Sequence, residues 1–335
     1  MERYDDICEL CTKLGYSEKY LYKMSNSLDK HYRKVNLIKK NGKIRTLRVP
    51  DKYLKSIQKR IAKNLLESVE ISKYATAYRV GKSTVDNANP HIGNSILLKL
   101  DIRNFFDSII YSVVKDKVFV ENMYSEKIRI LLSILCVYEH TVPQGAPTSP
   151  IISNIILKEF DEFLGKWCED KKIIYTRYCD DMTFSGEFEP KEVIKLVRKE
   201  LFKHGFFLNE KKTVILRKGQ RKEVTGIVIN EKLSIPKNYK KKIRQEMYYC
   251  KKYGVRSNIN TLKLNLTKEE YINSLLGRVN YVLSVEKGNE EMMGYKNWLI
   301  AFKKSKEFNV FKTKKYRYDD FEQMNLSDYA CFCEE

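Results

Sequence analysis

The sequence predicts an α+β protein in which short antiparallel strand pairs are backed by amphipathic helices. Three observations carry this. Asn41-Gly42 stands between two strand-like runs, and that dipeptide readily takes the left-handed backbone of a two-residue hairpin. A second pair of short strands flanks Tyr178-Cys179-Asp180-Asp181. Elsewhere, apolar residues recur at three- and four-residue intervals, the period of a helix with one buried face. Helices gathered on one face of such strand pairs define the class.

Taken in order, residues 1–35 read as one or two short helices with a basic end, His31-Tyr32-Arg33-Lys34. Residues 36–50 form the first hairpin. Pro50-Asp51 starts a helix with Leu54, Ile57, Ile61 and Leu65 on its core face. The run Ile96-Leu97-Leu98-Lys99-Leu100-Asp101-Ile102 is a buried strand that delivers Asp101 at its end. Helices are expected over 125–138 and 149–168. Ser149 can cap the second and Pro150 can open it, with Ile152, Ile155, Ile156, Phe160, Phe163 and Trp167 as its buried stripe. After the Asp-Asp hairpin, Pro190 opens a helix carrying Val193, Ile194, Val197 and Leu201, which Gly205 stops. Strands are expected around 213–217 and 223–229. Beyond Pro236 the pattern is helical and Lys-rich, and Thr267-Lys268-Glu269-Glu270 is a capping box before Ile272, Leu275, Leu276, Val279 and Leu283.

The chain has 335 residues and a formal net charge of +20, with 63 Lys and Arg against 43 Asp and Glu. Such an excess suits a protein that holds a phosphate backbone by displacing counterions. No stretch reaches the apolar length of a membrane span, and the acidic start Met1-Glu2-Arg3-Tyr4-Asp5-Asp6 is not a secretory signal, so a cytoplasmic protein is expected. The eight cysteines are scattered, as reduced thiols of such a protein would be. Cys8-x-x-Cys11 and Cys331-x-Cys333 lack the neighbours of a zinc site.

The chemistry is concentrated in three acidic residues. Two adjacent carboxylates at a turn disfavour one another's ionisation, and a protein keeps them where a divalent cation can sit between them. Hard oxygen ligands in a compact site suit Mg²⁺. Asp101 at one strand end, with Asp180 and Asp181 at a neighbouring hairpin, can supply three carboxylates, and the carbonyl of Ile102 can add a ligand. Two metal ions about 3.5–4 Å apart would serve the attacking and leaving oxygens of a phosphoryl transfer.

The order strand-Asp, then Val142-Pro143-Gln144-Gly145-Ala146-Pro147-Thr148-Ser149-Pro150, then the Asp-Asp hairpin resembles the palm of a reverse transcriptase. The loop looks most like that of the bacterial retron enzymes. So do Asn87-Ala88-Asn89-Pro90-His91, which fits an Asn-Ala-x-x-His element, and Val224-Thr225-Gly226, which fits a Val-Thr-Gly element. The resemblance spans residues 35–285. It implies a right-hand polymerase with a ferredoxin-like palm sheet. The divisions expected are N-terminal helices and fingers over 1–95, palm over 96–232, thumb over 233–302, and a C-terminal tail of unknown role over 303–335.

The resemblance also implies roles. Asp101 and Asp180 would carry most of the binding of two Mg²⁺ ions, supported by Asp181 and Ile102. Lys43 and Arg45, on one face of the hairpin, would clamp the incoming deoxynucleoside triphosphate. Phe106 would lie beneath the sugar and exclude a 2′-hydroxyl, with Phe105 as the alternative. Gln144 and Gly145 would contact nucleotide and template, and Lys212, or its neighbour Lys211, would protonate the leaving pyrophosphate. Asn87, His91, Thr225 and Gly226 would recognise a structured non-coding RNA, the template and primer for the DNA product. Lys241, Lys242 and Arg244, interleaved with tyrosines, fit its stem and unpaired bases. The activity implied is RNA-directed DNA synthesis, primed from a guanosine 2′-hydroxyl and leaving a branched product, msDNA. A role in anti-phage defence beside a separate effector protein comes with it. Other bacterial reverse transcriptases are the nearer alternative, although about fifty residues after Gly288 leave little room for a maturase region. An RNA-binding scaffold without catalysis is the more distant one, and loss of a carboxylate would mark it.

Overall fold

The computed structural model describes residues 3–38, 42 and 44–305. In chain order the helices are α1 (Ile7–Leu14), α2 (Glu18–Ser25), α3 (Lys52–Ile61), α4 (Thr84–Ala88), α5 (Tyr111–Lys117), α6 (Glu126–Cys136), α7 (Ser149–Ile156), α8 (Lys158–Asp170), α9 (Pro190–Lys203), α10 (Lys237–Tyr253), α11 (Val255–Thr261), α12 (Lys268–Val285) and α13 (Glu290–Lys304). The strands are β1 (Tyr32–Ile38), β2 (Ile44–Pro50), β3 (Ile96–Asp101), β4 (Ile174–Tyr178), β5 (Asp181–Gly186), β6 (Val214–Leu216), β7 (Glu223–Val224) and β8 (Ile227–Val228). The chain divides into two compact units, one of residues 1–83 with 95–218, the other of residues 84–94 with 219–335.

The first unit is built on a four-stranded antiparallel sheet in the order β4-β5-β3-β6. With helices between β3 and β4 and between β5 and β6, this is the βαββαβ pattern of a ferredoxin-like sheet. The α+β class and the ferredoxin-like sheet are as expected. Leu97, Leu98, Leu100, Met182 and Phe184 are buried along β3 and β5, as central strands covered by helices should be. The first hairpin pairs β1 with β2 from Tyr32↔Pro50 to Ile38↔Ile44, so the basic run from Tyr32 lies in strand rather than at a helix end. Asp51 caps α3 through Tyr53 and Leu54, and Leu54, Ile57, Ile61 and Leu65 are buried as the spacing demands.

Three expectations change. The helix over 149–168 is two helices, because Leu157 (φ −86°, ψ 4°) leaves helical geometry. The break shifts the phase of α8: Phe160, Leu164 and Cys168 face the core while Phe163 is 44% exposed. Ser149 does not cap; its hydroxyl donates to the Pro143 carbonyl (2.7 Å) and closes the Gln-Gly loop on itself. The strand over 223–229 is a tight hairpin, because Thr225 (φ 47°) and Gly226 (φ 75°) are both left-handed, as a type I′ turn requires. In addition, α5 is a helix the sequence reading did not anticipate.

In the second unit, α4 packs on β7 and β8, and the Gly93 amide donates to the Ile229 carbonyl (3.1 Å). The capping box at Thr267 and Glu270 opens α12, whose Ile272, Leu275 and Val279 are buried. A partly buried cluster of Glu246, Arg278, Tyr271 and Asn258 ties α10, α11 and α12 together, with both Arg278 terminal nitrogens 2.7 Å from Glu246.

Candidate active site

The sheet register assembles the three carboxylates. Asp101, at the end of β3, lies directly opposite Asp181, the first residue of β5. The turn before β5 places Asp180 beside them, and its carbonyl accepts from the Ile102 amide (3.1 Å). That turn holds Cys179 at φ 59°, a conformation uncommon outside glycine, as strained turns at functional sites often are. The Tyr78 hydroxyl lies 3.4 Å from the Cys179 sulfur.

Asp101 is buried, and its two oxygens accept from Asn209 Nδ2 (2.8 Å) and Lys212 Nζ (2.9 Å). The backbone draws the same residues together, since the Asn209 amide donates to the Asp101 carbonyl (2.8 Å). Burial, then the charge of Asp101, raises the pKa of Asp180. Burial, then the charges of Asp180 and Asp101, pushes Asp181 up to about 7. Burial disfavours the Lys212 ammonium, but its hydrogen bond to Asp101 and the attraction of the three carboxylates more than offset this and raise its pKa. Of the two lysines, Lys212 is therefore the one engaged at the carboxylates.

No three His, Cys, Asp or Glu side chains among the described residues converge into a ready-made metal cage. The donor set nevertheless fits a hard divalent cation. Asp180 and Asp181 stay raised although Lys212 and, at Asp181, Lys99 oppose the shift, and additional positive charge would favour their ionised forms.

Arg45 Nε donates to Gln144 Oε1 (2.8 Å), and the Arg48 amide donates to the Gln144 carbonyl (2.9 Å), so the hairpin and the Gln-Gly loop are joined. Gly145 (φ 121°) is required because a Cβ there would lie 3.0 Å from the Arg48 carbonyl oxygen. The close approach is thus to β2. Lys43 falls outside the described residues. Phe105 is the inner ring, packed against both Phe106 and Phe206, which leaves Phe106 as the outer one.

The second unit gathers the remaining candidates. Asn87 and His91 are almost wholly buried, and burial pushes the His91 pKa down to about 3. A buried neutral imidazole anchors its loop and does not offer a cationic contact to RNA. The Thr225 hydroxyl donates to the Thr84 carbonyl (3.2 Å), so two elements far apart in sequence form one structure, with the half-buried Thr225-Gly226 turn at its edge. Lys241 and Lys242 are exposed on α10, whereas Arg244 forks onto Glu291 at 2.7–3.0 Å, an ion pair that engages its charge. Tyr248, Tyr249 and Tyr253 are exposed, with the Tyr249 ring against the other two and Lys252 over Tyr248 and Tyr253.

Two participants were missed from sequence. Lys99 shares a face of β3 with Asp101 and favours ionisation of Asp181; the two-residue alternation of a strand was the available signal. Asn209 precedes Lys212 by three residues within a tight turn, a weaker signal.

Residues 37–230 match the family model described as reverse transcriptase (RNA-dependent DNA polymerase). The chain belongs to that family and is an RNA-directed DNA polymerase, an activity that depends on a divalent cation. Its place within the family is among the bacterial retron enzymes. It is 30% identical to the retron Ec86 reverse transcriptase of Escherichia coli over 80% of this chain and 81% of that protein. Against the retron Ec83 reverse transcriptase of the same organism it is 30% identical over 83% and 91% of the two chains. The retron Mx65 reverse transcriptase of Myxococcus xanthus is 28% identical over 65% of this chain and 56% of its own. No helix among the described residues is long and apolar enough to cross a membrane.

Proposed function

We propose that this enzyme copies part of a structured non-coding RNA, starting from a guanosine 2′-hydroxyl in that RNA, and leaves a branched RNA–DNA product, msDNA. The product would serve anti-phage defence with a separate effector protein. The observation that carries the retron-specific part is the joining of the 84–94 segment to the Thr225-Gly226 turn in one unit with the basic, tyrosine-bearing α10. Such a surface suits RNA, whose unpaired bases stack on aromatic rings and whose phosphates attract lysine. Asn87 and His91 would shape the loop from within, the turn would meet the RNA directly, and Lys241 and Lys242 would hold its backbone.

Asp101, Asp180 and Asp181, with the Ile102 carbonyl, would hold two Mg²⁺ ions. When bound, such ions lower the pKa of an attacking hydroxyl and neutralise a leaving pyrophosphate. Arg45, oriented by Gln144, would bind the triphosphate oxygens of the incoming dNTP together with Lys43. Phe106 would exclude a ribose 2′-hydroxyl. Lys212 Nζ, kept protonated by its carboxylate neighbours, would give its proton to the departing pyrophosphate.

The test is to purify the protein from its host and sequence the nucleic acid that comes with it, beside Asp180→Asn. A short DNA joined to RNA through a 2′ linkage, absent from the variant while RNA remains, is the expected result. RNA alone with both proteins would support the non-catalytic scaffold. Linear DNA without a branch would point to another class of bacterial reverse transcriptase.

A further inference from the structure

Arg177, on β4, is fully buried, yet it carries a charge and up to five N–H donors into the interior. Its fork meets Asp161 of α8, itself fully buried: Nε lies 2.8 Å from Oδ1 and Nη2 lies 2.6 Å from Oδ2. Nη2 also reaches Asn154 Oδ1 of α7 (3.2 Å), and Nη1 donates to the Cys179 carbonyl (2.8 Å). The backbone of Arg177 is fixed as well. Its amide donates to the Tyr74 carbonyl (2.9 Å), and its carbonyl accepts from the Thr76 amide (2.8 Å) and hydroxyl (3.0 Å). Asn154 is held in turn, its amide nitrogen donating to the Ala77 carbonyl (2.9 Å).

Stability alone is a poor reason for this arrangement. A buried ion pair recovers little beyond its own desolvation, and apolar replacements of equal volume often serve as well. What an apolar side chain cannot do is grip a particular carbonyl. The carbonyl gripped here belongs to Cys179, the left-handed residue whose peptide plane leads into Asp180. Fixing that oxygen fixes the plane, and with it the point from which the Asp180 side chain projects. The same guanidinium holds Asn154 on the helix that follows the Gln144-Gly145 loop. Only a planar fork with donors in several directions can meet Asp161, Asn154 and Cys179 at once; a lysine ammonium on a flexible stem cannot.

We propose that Arg177, locked by Asp161 and Asn154, is a positioning residue that sets the Asp180-Asp181 turn against the helix behind the nucleotide loop. The proposal rests on the reading of Asp101, Asp180 and Asp181 as the metal-binding carboxylates. Arg177 touches neither substrate nor metal and acts through the Cys179–Asp180 peptide.

The test uses the full chain on a primer–template, with single-turnover incorporation giving both the burst amplitude, which counts competent molecules, and the rate constant of the competent ones. Arg177→Lys keeps the charge beside Asp161 and loses the grip on Cys179. Its rate constant should fall about 10-fold to 100-fold, as a misplacement of well under an ångström to one ångström would cause. The dNTP KM should change less than about twofold, and Mn²⁺ binding measured calorimetrically without substrate should weaken. Tyr175→Phe removes only the hydroxyl that donates to Asp161 (2.8 Å). It should lower Tm and leave the rate constant unchanged. If Arg177→Lys does not fold, Asn154→Ala decides, since it cuts the tie to the nucleotide-loop helix and should slow the competent fraction in the same way. A reduced amplitude with a wild-type rate constant, or rate constants that merely track Tm across the variants, would overturn the positioning role. Asp180→Asn, run alongside, separates the two readings. Its inactivity beside a wild-type rate constant in Arg177→Lys leaves the carboxylates standing and removes Arg177. Synthesis surviving Asp180→Asn removes both.

Discussion

Asp101 and Asp181 face one another across the β3–β5 ladder, and Lys212 is the cation paired with Asp101. Its neighbour Lys211 is exposed too, but it is Lys212 that reaches the Asp101 carboxylate (2.9 Å), so the two lysines should separate cleanly in an experiment. Lys212→Gln should lower the single-turnover rate by about 100-fold, the lower range for losing a general acid. Lys211→Gln should stay within about twofold. Phe106→Val should reduce discrimination against ribonucleotides by about tenfold or more, read as the deoxy-to-ribo incorporation ratio; tenfold is only about 1.4 kcal/mol. Because Phe105 lies between Phe106 and Phe206, its truncation should show instead as lost stability. At this scale the candidate site was legible where its pattern is local. Adjacent aspartates at a turn advertise themselves, as does an aspartate closing an apolar strand. Asn209 did not, because its significance lies in an oxygen 108 residues away that only the folded sheet brings near.

At the level of elements, helix α10 presents two kinds of positive charge. Lys241 and Lys242 are exposed, while Arg244 is forked onto Glu291 of α13. Lys241→Gln with Lys242→Gln should weaken RNA binding and flatten the log–log salt plot by up to about one unit per lost phosphate contact. Arg244→Gln should change the slope less, since its charge is already answered within the protein. Filter binding over a salt series distinguishes the two variants. Sequence periodicity found most elements, but it could not see the Leu157 break, because a continuous stripe from Ile152 to Trp167 satisfies one long helix as well as two short ones. Nor could it see that Thr225, a β-branched residue ill-suited to left-handed geometry, would take a turn position. The second departure is held by a contact made far along the chain, the Thr225 hydroxyl on the Thr84 carbonyl.

For the molecule as a whole, the division into units was the part least written in local pattern. Residues 84–94 belong with residues 219–335, and nothing in their composition says so. One consequence is measurable through His91, buried neutral with its pKa lowered from 6.5 to about 3. Between those values the unfolded chain binds a proton that the folded unit does not, so stability is intact above pH 6.5 and falls as pH falls below it. The slope should approach about 1.4 kcal/mol per pH unit from this group. The second unit contains Trp298 and the first Trp167, the two tryptophans of the chain. In a Trp167→Phe background, denaturant titrations followed by Trp298 fluorescence should report the second unit, and His91→Gln should flatten their pH dependence. The same exchange of segments sets a timetable during synthesis. Ala88 leaves the ribosome about 135 residues before the β7 strand it packs against, a wait of roughly 7–27 s at ordinary elongation rates. Through that interval the 84–94 segment has no native partner from 219 onward, and its buried Asn87, Ala88 and His91 stand open to solvent or to a chaperone. The second unit can begin only after translation has passed the whole sheet that carries the carboxylates, whose last strand ends at Leu216. A chain released between residues 182 and 229 would therefore hold Asp101, Asp180 and Asp181, the aspartates proposed as catalytic, and still lack the unit proposed to select its RNA.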